Sequence, residues 1–222
     1  MDVFLFWQIQ VSVGRKPVTG LRLCLEGVKL NRLAVHVQHL SVLPKILEPH
    51  WNPYVPIGAP KWHGPEEQDS RWFEPLRWNN FAHISTAPVE FNQTWLGDAS
   101  GAYIVTGAQL GVWDFRLKSV LHLKLLYSKV PGCTIRRSVW EHSPEPLGQQ
   151  LPLLKSKADA NLSTAATATT THVTQKLSKF VDTTELMRGP ENLPGHWLVT
   201  GAKLCVEKSR IFLRVKYSLL NY

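Results

Sequence analysis

The sequence predicts an all-β fold of three related antiparallel units, arranged like a β-prism with pseudo-threefold symmetry; a two-sheet β-sandwich is the alternative. The first observation is that short segments alternate apolar and polar residues with a period of two, which is typical of half-buried strands. The second is that fifteen prolines interrupt the chain and no long stretch carries apolar residues at helical spacing. The third is a motif that occurs three times.

The repeated motif is Val-Thr-Gly followed by a strand of alternating pattern, and its glycines are Gly20, Gly107 and Gly201. We expect each glycine at a turn or bulge, where a side chain would clash. Because one small sheet cannot bury its apolar face alone, three units are predicted to share a core. The second strands of the units are predicted at Leu33–His39, Leu121–Tyr127 and Ile211–Tyr217. Side chains predicted to point into the core are Leu23, Val35, Leu110, Leu123, Leu204 and Leu213, and those predicted to point outward are Arg22, Gln109 and Lys203.

The three copies divide the chain into units and connections within a single β domain that spans residues 1–222. The connection 44–77 is rich in proline and tryptophan and shows no sustained alternation. The connection 143–178 becomes rich in alanine and threonine, and it has too few apolar residues to offset the entropy of ordering. We therefore predict a loop at 44–77 and a disordered insertion at 143–178. The units themselves are predicted at about 1–43, 78–142 and 179–222.

Composition limits the class of protein. A chain of 222 residues with 44% hydrophobic residues can form a core without metals or disulfides. The net charge of +8 is spread along the chain, which argues against a nucleic-acid partner and is typical of solvated surface charge that aids solubility. Weak attraction to an anionic membrane surface is the alternative. The chain has only three cysteines, and its apolar start Val3–Trp7 is too short for a secretion signal. We therefore expect a cytoplasmic protein, peripheral at the plasma membrane and not secreted.

No catalytic motif is present in the sequence. It contains no nucleophile elbow, no phosphate-binding loop, no dinucleotide fingerprint and no zinc-protease motif. His36 and His39 have the spacing of metal ligands on a helix, but on a strand they face opposite sides of the sheet. We therefore predict no catalytic residue, no cofactor and no metal, and a protein that is not an enzyme.

Four tryptophans lie within or at the end of the predicted loop 44–77: Trp51, Trp62, Trp72 and Trp78. An indole ring combines an apolar body with an N–H donor, which suits the headgroup boundary of a membrane. These residues are therefore candidates for contact with membrane lipid or a protein partner. The net negative charge of this part of the chain opposes docking to anionic lipid, and we favour the alternative, in which the four rings fold back over the sheets as a lid.

A series of sequence blocks in fixed order, between residues 10 and 220, carries a family resemblance. The blocks are Pro17–Gly27, Asn31–Ser41, Trp78–Phe81, Thr86–Glu90, Val105–Leu110, Lys179–Glu185 and Arg210–Leu220. They closely resemble the plant MACPF (membrane attack complex/perforin) proteins associated with constitutively activated cell death and necrotic spotted lesions. In that family a perforin-type domain precedes these blocks, with a signature resembling [YW]-G-[TS]-H-[FY], and no such stretch occurs here. We therefore expect the chain to correspond to the C-terminal accessory region alone.

The resemblance implies a role in restraining salicylic-acid-mediated programmed cell death, including the hypersensitive response, in plant immunity and defence. It brings no catalytic residues. We expect a non-enzymatic β module that docks a perforin-like protein on a membrane or a protein partner. Two alternatives stay open: a glycan-binding β-prism lectin, which the threefold repeat favours, and a non-functional truncated fragment. Pore formation by this chain alone is not expected, because the apolar faces of its alternating strands are predicted to form the core.

Overall fold

The fold consists of β-strands and one short 3-10 helix in the part of the chain that the structure describes. The computed structural model describes residues 10–12, 16–27, 30, 32–43, 45, 47–48, 61–65, 69–78, 81–91, 101–142, 179–187 and 197–221. The strands are β1 (Gln10–Ser12), β2 (Val18–Glu26), β3 (Arg32–His39), β4 (Lys61–His63), β5 (Phe73–Trp78), β6 (Phe81–Ser85), β7 (Val89–Glu90), β8 (Gly101–Phe115), β9 (Lys118–Pro131), β10 (Thr134–His142), β11 (Leu186–Met187), β12 (Trp197–Glu207) and β13 (Arg210–Asn221), and the 3-10 helix is Ser70–Trp72. The prediction of an all-β fold is confirmed.

The described strands form three sheets, each built on one copy of the repeat. The first sheet has the order β11-β2-β3. The second has the order β1-β8-β9-β6-β5, with β4 also paired to β9, and the third has the order β10-β13-β12-β7. The described residues thus form three sheets rather than the two of the alternative sandwich. The prism-like symmetry stays a prediction.

The hairpins β2-β3, β8-β9 and β12-β13 share the same register and the same irregularity. In each hairpin the pairing shifts across the Val-Thr-Gly motif, so that the threonine is an extra residue in a β-bulge. Three residues after each glycine, the same type of apolar pair faces the core: Leu23 opposite Val35, Leu110 opposite Leu123, and Leu204 opposite Leu213. All six are buried, as the sequence predicts.

One of the three residues predicted to point outward is buried instead. Arg22 and Lys203 are half-buried, whereas Gln109 is only 6% exposed. Gln109 lies on β8, which is an interior strand because β1 covers one of its edges and β9 the other. Its counterparts also lie on interior strands, so the pairing alone does not explain the difference.

Each hairpin also pairs with a short strand that comes from before a different repeat, and the three pairings share one register. Val11 of β1 lies opposite Ala108, Val89 of β7 opposite Ala202, and Leu186 of β11 opposite Leu21. The two alanines and Leu21 each follow the repeat glycine by one residue. The segment before the first hairpin therefore pairs with the second, that before the second pairs with the third, and that before the third pairs with the first. Each repeat is completed by a strand from elsewhere in the chain.

Hydrogen bonds join the sheets at the level of the bulges. The Tyr127 hydroxyl, on the second sheet, donates to the Val89 carbonyl at 3.1 Å and lies 3.5 Å from the Thr200 carbonyl, both on the third sheet. The Tyr217 hydroxyl, on the third sheet, donates to the Leu186 carbonyl of the first at 2.7 Å. His39 occupies the corresponding position of the first hairpin, and its Nε2 lies 3.0 Å from the Thr106 carbonyl of the second. All three contacts therefore link one repeat to the next.

The connection 44–77, predicted as a loop, contains β4 and most of β5. β4 pairs with β9 at Leu125–Tyr127, beyond the point where β6 pairs with the same strand. β5 is an edge strand, a place where a proline such as Pro75 is tolerated because one side makes no ladder bonds. The predicted disordered insertion at 143–178 lies outside the described residues.

Candidate functional site

The repeat glycines lie at the bulges, where strands from two parts of the chain meet. Gly20 is opposite Met187, Gly107 is opposite Ser12, and Gly201 is opposite Glu90. A Cβ at Gly201 would lie 3.0 Å from the Val89 carbonyl oxygen and 3.2 Å from the Glu90 Cβ. The glycine at this position therefore permits β7 to approach β12. These residues shape the scaffold and bring no reactive group.

The structure places the four predicted tryptophans on separate elements. Trp51 lies outside the described residues. Trp62 is half-buried on β4, and Trp78 ends β5. Trp72, in the 3-10 helix, is 40% exposed, and its carbonyl accepts hydrogen bonds from the backbone and hydroxyl of Thr86. Of the two members whose side chains the structure describes, Trp62 and Trp72, the second presents an indole ring to solvent, and its contact with lipid or protein stays a prediction.

A different aromatic surface lies on the outer side of the third sheet. We name it the basic–aromatic face and define it by four residues: Trp140 of β10, Lys203 of β12, and Phe212 and Arg214 of β13. Lys203 is directly opposite Arg214, and Cys205 is opposite Phe212. Since the intervening residues Leu204 and Leu213 are buried in the core, these side chains point away from it.

Each cation of the basic–aromatic face lies over a ring. The Lys203 ammonium is 5.5 Å from the centroid of the Trp140 ring, and the Arg214 guanidinium carbon is 5.9 Å from the centroid of the Phe212 ring. Trp140 is 37% exposed. The rings therefore hold two cations in position on a surface that solvent reaches.

The cations next to the basic–aromatic face lie near carboxylates rather than over aromatic rings. Lys216 forms an ion pair with Glu90, and Arg210 lies 3.6 Å from an oxygen of Asp182. These pairs flank the face in register, since Lys216 lies opposite both Trp140 and Gly201, and Arg210 lies opposite Glu207. Burial raises the pKa of the Cys205 thiol, while the positive charges of Lys203 and Arg214 act in the opposite direction. The local potential around Cys205 is therefore positive.

Histidines of the described residues do not form a metal site. His36 is exposed on β3, and His39 bonds a backbone carbonyl, as described above. His122 is buried on the outer side of the second sheet, with its ring stacked on Trp113 at 3.8 Å. Burial and the nearby charge of Lys124 lower the pKa of His122 to about 3, against a smaller opposing effect from the backbone of Val120. Within the described ranges, no three histidine, cysteine or acidic side chains converge as metal ligands.

No helix in the described part of the chain is both long and apolar enough to span a membrane. The basic–aromatic face was missed by sequence reasoning, because its residues are far apart in the chain. One sequence feature could have indicated this face. On the polar side of β13, Phe212 stands among the cations Arg214 and Lys216, where a charged residue would be expected. Trp140 joins them through the pairing of β10 with β13, which has no local signature.

Comparison with known proteins gives relatives over nearly the whole chain. MACPF domain-containing protein CAD1 of Arabidopsis thaliana is 64% identical over 213 residues, which are 96% of this chain and 37% of the relative. From the same plant, MACPF domain-containing protein At4g24290 is 42% identical over 231 residues, 95% of this chain and 36% of the relative. MACPF domain-containing protein NSL1 is 38% identical over 235 residues, 96% of this chain and 36% of the relative.

The chain thus spans a little over a third of the length of these curated relatives and corresponds to their C-terminal part. No protein-family model matches it. No solved structure matches it. Identity of 64% over almost all of its residues, together with the agreement of three further relatives, identifies this chain with the C-terminal region of the plant MACPF domain-containing proteins.

Proposed function

We propose that this chain is a non-enzymatic docking module of a perforin-like plant protein, which attaches that protein to a membrane or a protein partner. The observation that carries the proposal is the basic–aromatic face, where Lys203 and Arg214 are held over aromatic rings on an outer sheet surface. Cations and an exposed indole together are suited to binding an anionic surface rather than to chemistry on a substrate.

The biological setting is proposed from the family resemblance. We propose that the docking serves the negative regulation of salicylic-acid-mediated programmed cell death in plant immunity, and that the protein acts in the cytoplasm, peripherally at the plasma membrane. The names of the relatives support the perforin-like class. The regulatory role comes from the resemblance stated above and is the part that needs a test in the plant.

The test of docking uses the purified chain and the same chain fused to the region that precedes its counterpart in the relatives. Both forms are sedimented with vesicles made from plant plasma-membrane lipid and are used as bait in plant extracts. We expect one of the two assays to show saturable binding. Charge reversal at Lys203 is expected to weaken it, since this residue carries part of the basic–aromatic face. No association of either form in either assay would refute the proposal.

The regulatory part is tested separately. Plants that lack the endogenous protein and show spontaneous lesions are complemented with the full-length relative or with the same protein carrying the docking-deficient charge reversal. We expect the first to suppress lesions and the second to fail at equal protein level. Suppression by both would separate the regulation of cell death from the basic–aromatic face.

A further inference from the structure

The basic–aromatic face contains a charge arrangement that is unfavourable for the isolated chain. Lys203 and Arg214 are directly opposite each other on neighbouring antiparallel strands. Like charges at such positions destabilise a sheet, whereas opposite charges stabilise it. Other cations of the third sheet have a favourable opposite charge beside them, since Lys216 forms an ion pair with Glu90 and Arg210 lies near Asp182. Lys203 and Arg214 therefore stand out as the two cations of this surface that are placed together.

No carboxylate of the described residues forms an ion pair with Lys203 or Arg214. Arg214 is half-buried, and the terminal nitrogens of its guanidinium are the donors that an anion at the sheet surface can reach. An anion seated between the two cations would accept hydrogen bonds from both and would offset their repulsion.

The three hairpins share a register, and their outer positions can be compared directly. In the first hairpin, Arg22 lies opposite His36, and Ala34 takes the position of Phe212. In the second, Gln109 lies opposite Lys124, and His122 takes that position. Among the described hairpins, the third combines two permanent cations with an aromatic ring in this register. The arrangement is thus a property of one unit and does not follow from the repeat itself.

The aromatic residues indicate where the anion comes from. Trp140, whose ring lies 5.5 Å from the Lys203 ammonium, is 37% exposed. A soluble phosphate would gain nothing from an exposed indole ring beside its binding site. At a lipid surface, by contrast, an indole ring lies favourably at the headgroup boundary, while basic side chains reach the phosphates.

We propose that Lys203 and Arg214, with Trp140, form a binding site for the phosphate groups of an anionic lipid surface. The proposal rests on the docking function proposed above and assigns it one face and one partner. Lys203 and Arg214 hold the phosphate oxygens between them. Trp140, at the exposed edge of the sheet, contacts the headgroup boundary and fixes the orientation of the sheet on the membrane.

The experiment measures binding of the full chain to phosphatidylcholine vesicles with and without about one-fifth phosphatidylserine. The main variant is Lys203→Glu, which places a carboxylate opposite Arg214. Because this change replaces a like-charge pair by an ion pair, the thermal midpoint is expected to hold or rise, and loss of binding cannot be attributed to unfolding. The matched control is Arg22→Glu, which makes the same charge change at the corresponding position of the first hairpin.

We expect binding to anionic vesicles to weaken about thirtyfold in Lys203→Glu, because two units of charge change near the surface. In Arg22→Glu the change is expected to stay below about threefold, since a charge more than about 8 Å from the lipid is screened at physiological salt. Trp140→Ala is expected to lower the binding that survives in high salt, where the electrostatic part is weak. Neutral vesicles are expected to bind poorly throughout.

Other outcomes would overturn the inference in distinguishable ways. Equal loss in Lys203→Glu and Arg22→Glu would show general attraction by net charge, and the docking function would stand without this site. Binding of inorganic phosphate or of a polyglutamate peptide that depends on Lys203, without binding to vesicles, would assign the site to a soluble anion or an acidic protein. Absence of vesicle binding by the unchanged chain would refute both this inference and the membrane form of the proposed function, leaving only the partner form that the bait experiment tests.

Discussion

The hydrogen bond from Tyr127 across two sheets provides the sharpest test of how the repeats are joined. The change is Tyr127→Phe, which removes the hydroxyl and keeps the ring. The hydroxyl donates to the Val89 carbonyl at 3.1 Å from a buried position. Removing one partner of a buried hydrogen bond leaves the other unsatisfied, at a cost of about 1–3 kcal/mol. Taking about 2 kcal/mol, the thermal midpoint of a domain of this size should fall by about 4–8 °C.

The assay is urea and thermal unfolding of the purified chain, followed by circular dichroism. The matched control is Tyr103→Phe, because Tyr103 is half-buried and stacks on Phe91 at 3.7 Å through its ring. Its change is expected to stay within about 0.5 kcal/mol. Equal effects of the two substitutions would refute the conclusion that the bond between sheets stabilises the fold.

The pH dependence of the Tyr127 contribution has a definite sign. Burial, with a smaller effect of the nearby Glu90, raises the pKa of Tyr127 well above its usual value of 10. The folded phenol stays neutral while the unfolded one ionises, so its contribution is complete below pH about 10 and is lost above it. The difference in stability between the unchanged chain and Tyr127→Phe should therefore narrow as the pH rises past about 10.

Three further changes test the bulge, the buried histidine and the core. Gly201→Ala places a Cβ 3.0 Å from the Val89 carbonyl oxygen and should cost about 1–3 kcal/mol in urea unfolding; Gly64→Ala, whose Cβ meets the flexible Lys124 side chain at the same distance, is the milder control. In the unfolded chain the His122 imidazole binds a proton below pH about 6.5, whereas in the folded chain its pKa is about 3 and it stays neutral. Between these two pH values His122 therefore lowers the free energy of unfolding by about 1.4 kcal/mol per pH unit as the pH falls, and His122→Asn should remove this loss. An acid limb that is the same in both would contradict this assignment. Leu123→Ala should cost about 2–5 kcal/mol and Lys124→Ala much less, since only the first is in the core.

The hairpins of the fold could be predicted from the sequence because a long half-buried strand repeats its pattern every two residues. The alternation around Leu204 and Leu213 and the Val-Thr-Gly motif were sufficient to place these strands and their core faces. β1, β7 and β11 could not be found in this way, because strands of two or three residues contain no period. Their pairing is set by tertiary contact, and with it the crossing of strands from one repeat to the next.

The candidate site was harder to predict than the fold for a related reason. The tryptophans of the connection 44–77 are close in sequence and so could be predicted as a candidate site, whereas Trp140, Lys203 and Arg214 come together only through strand pairing. β10 is exposed along most of its length, so it lacks the apolar alternation that marks the other long strands. A register error of one residue in β13 would move Arg214 to the core side, so the face depends on the bulge as much as on the residues themselves.

Specialisation of the three units is therefore expected on their outer surfaces. The inner positions are nearly interchangeable, as the pairs Leu23–Val35, Leu110–Leu123 and Leu204–Leu213 show, because all of them fill one shared core. The outer positions do not face that shared core, and there arginine with histidine, glutamine with lysine, and lysine with arginine occupy the same register. Binding of a partner can then be acquired by one unit without disturbing the others. Transfer of the cation pair to the first hairpin by His36→Arg, at an exposed position opposite Arg22, should consequently increase anion binding there while leaving the core, and the cooperative unfolding that reports on it, unchanged.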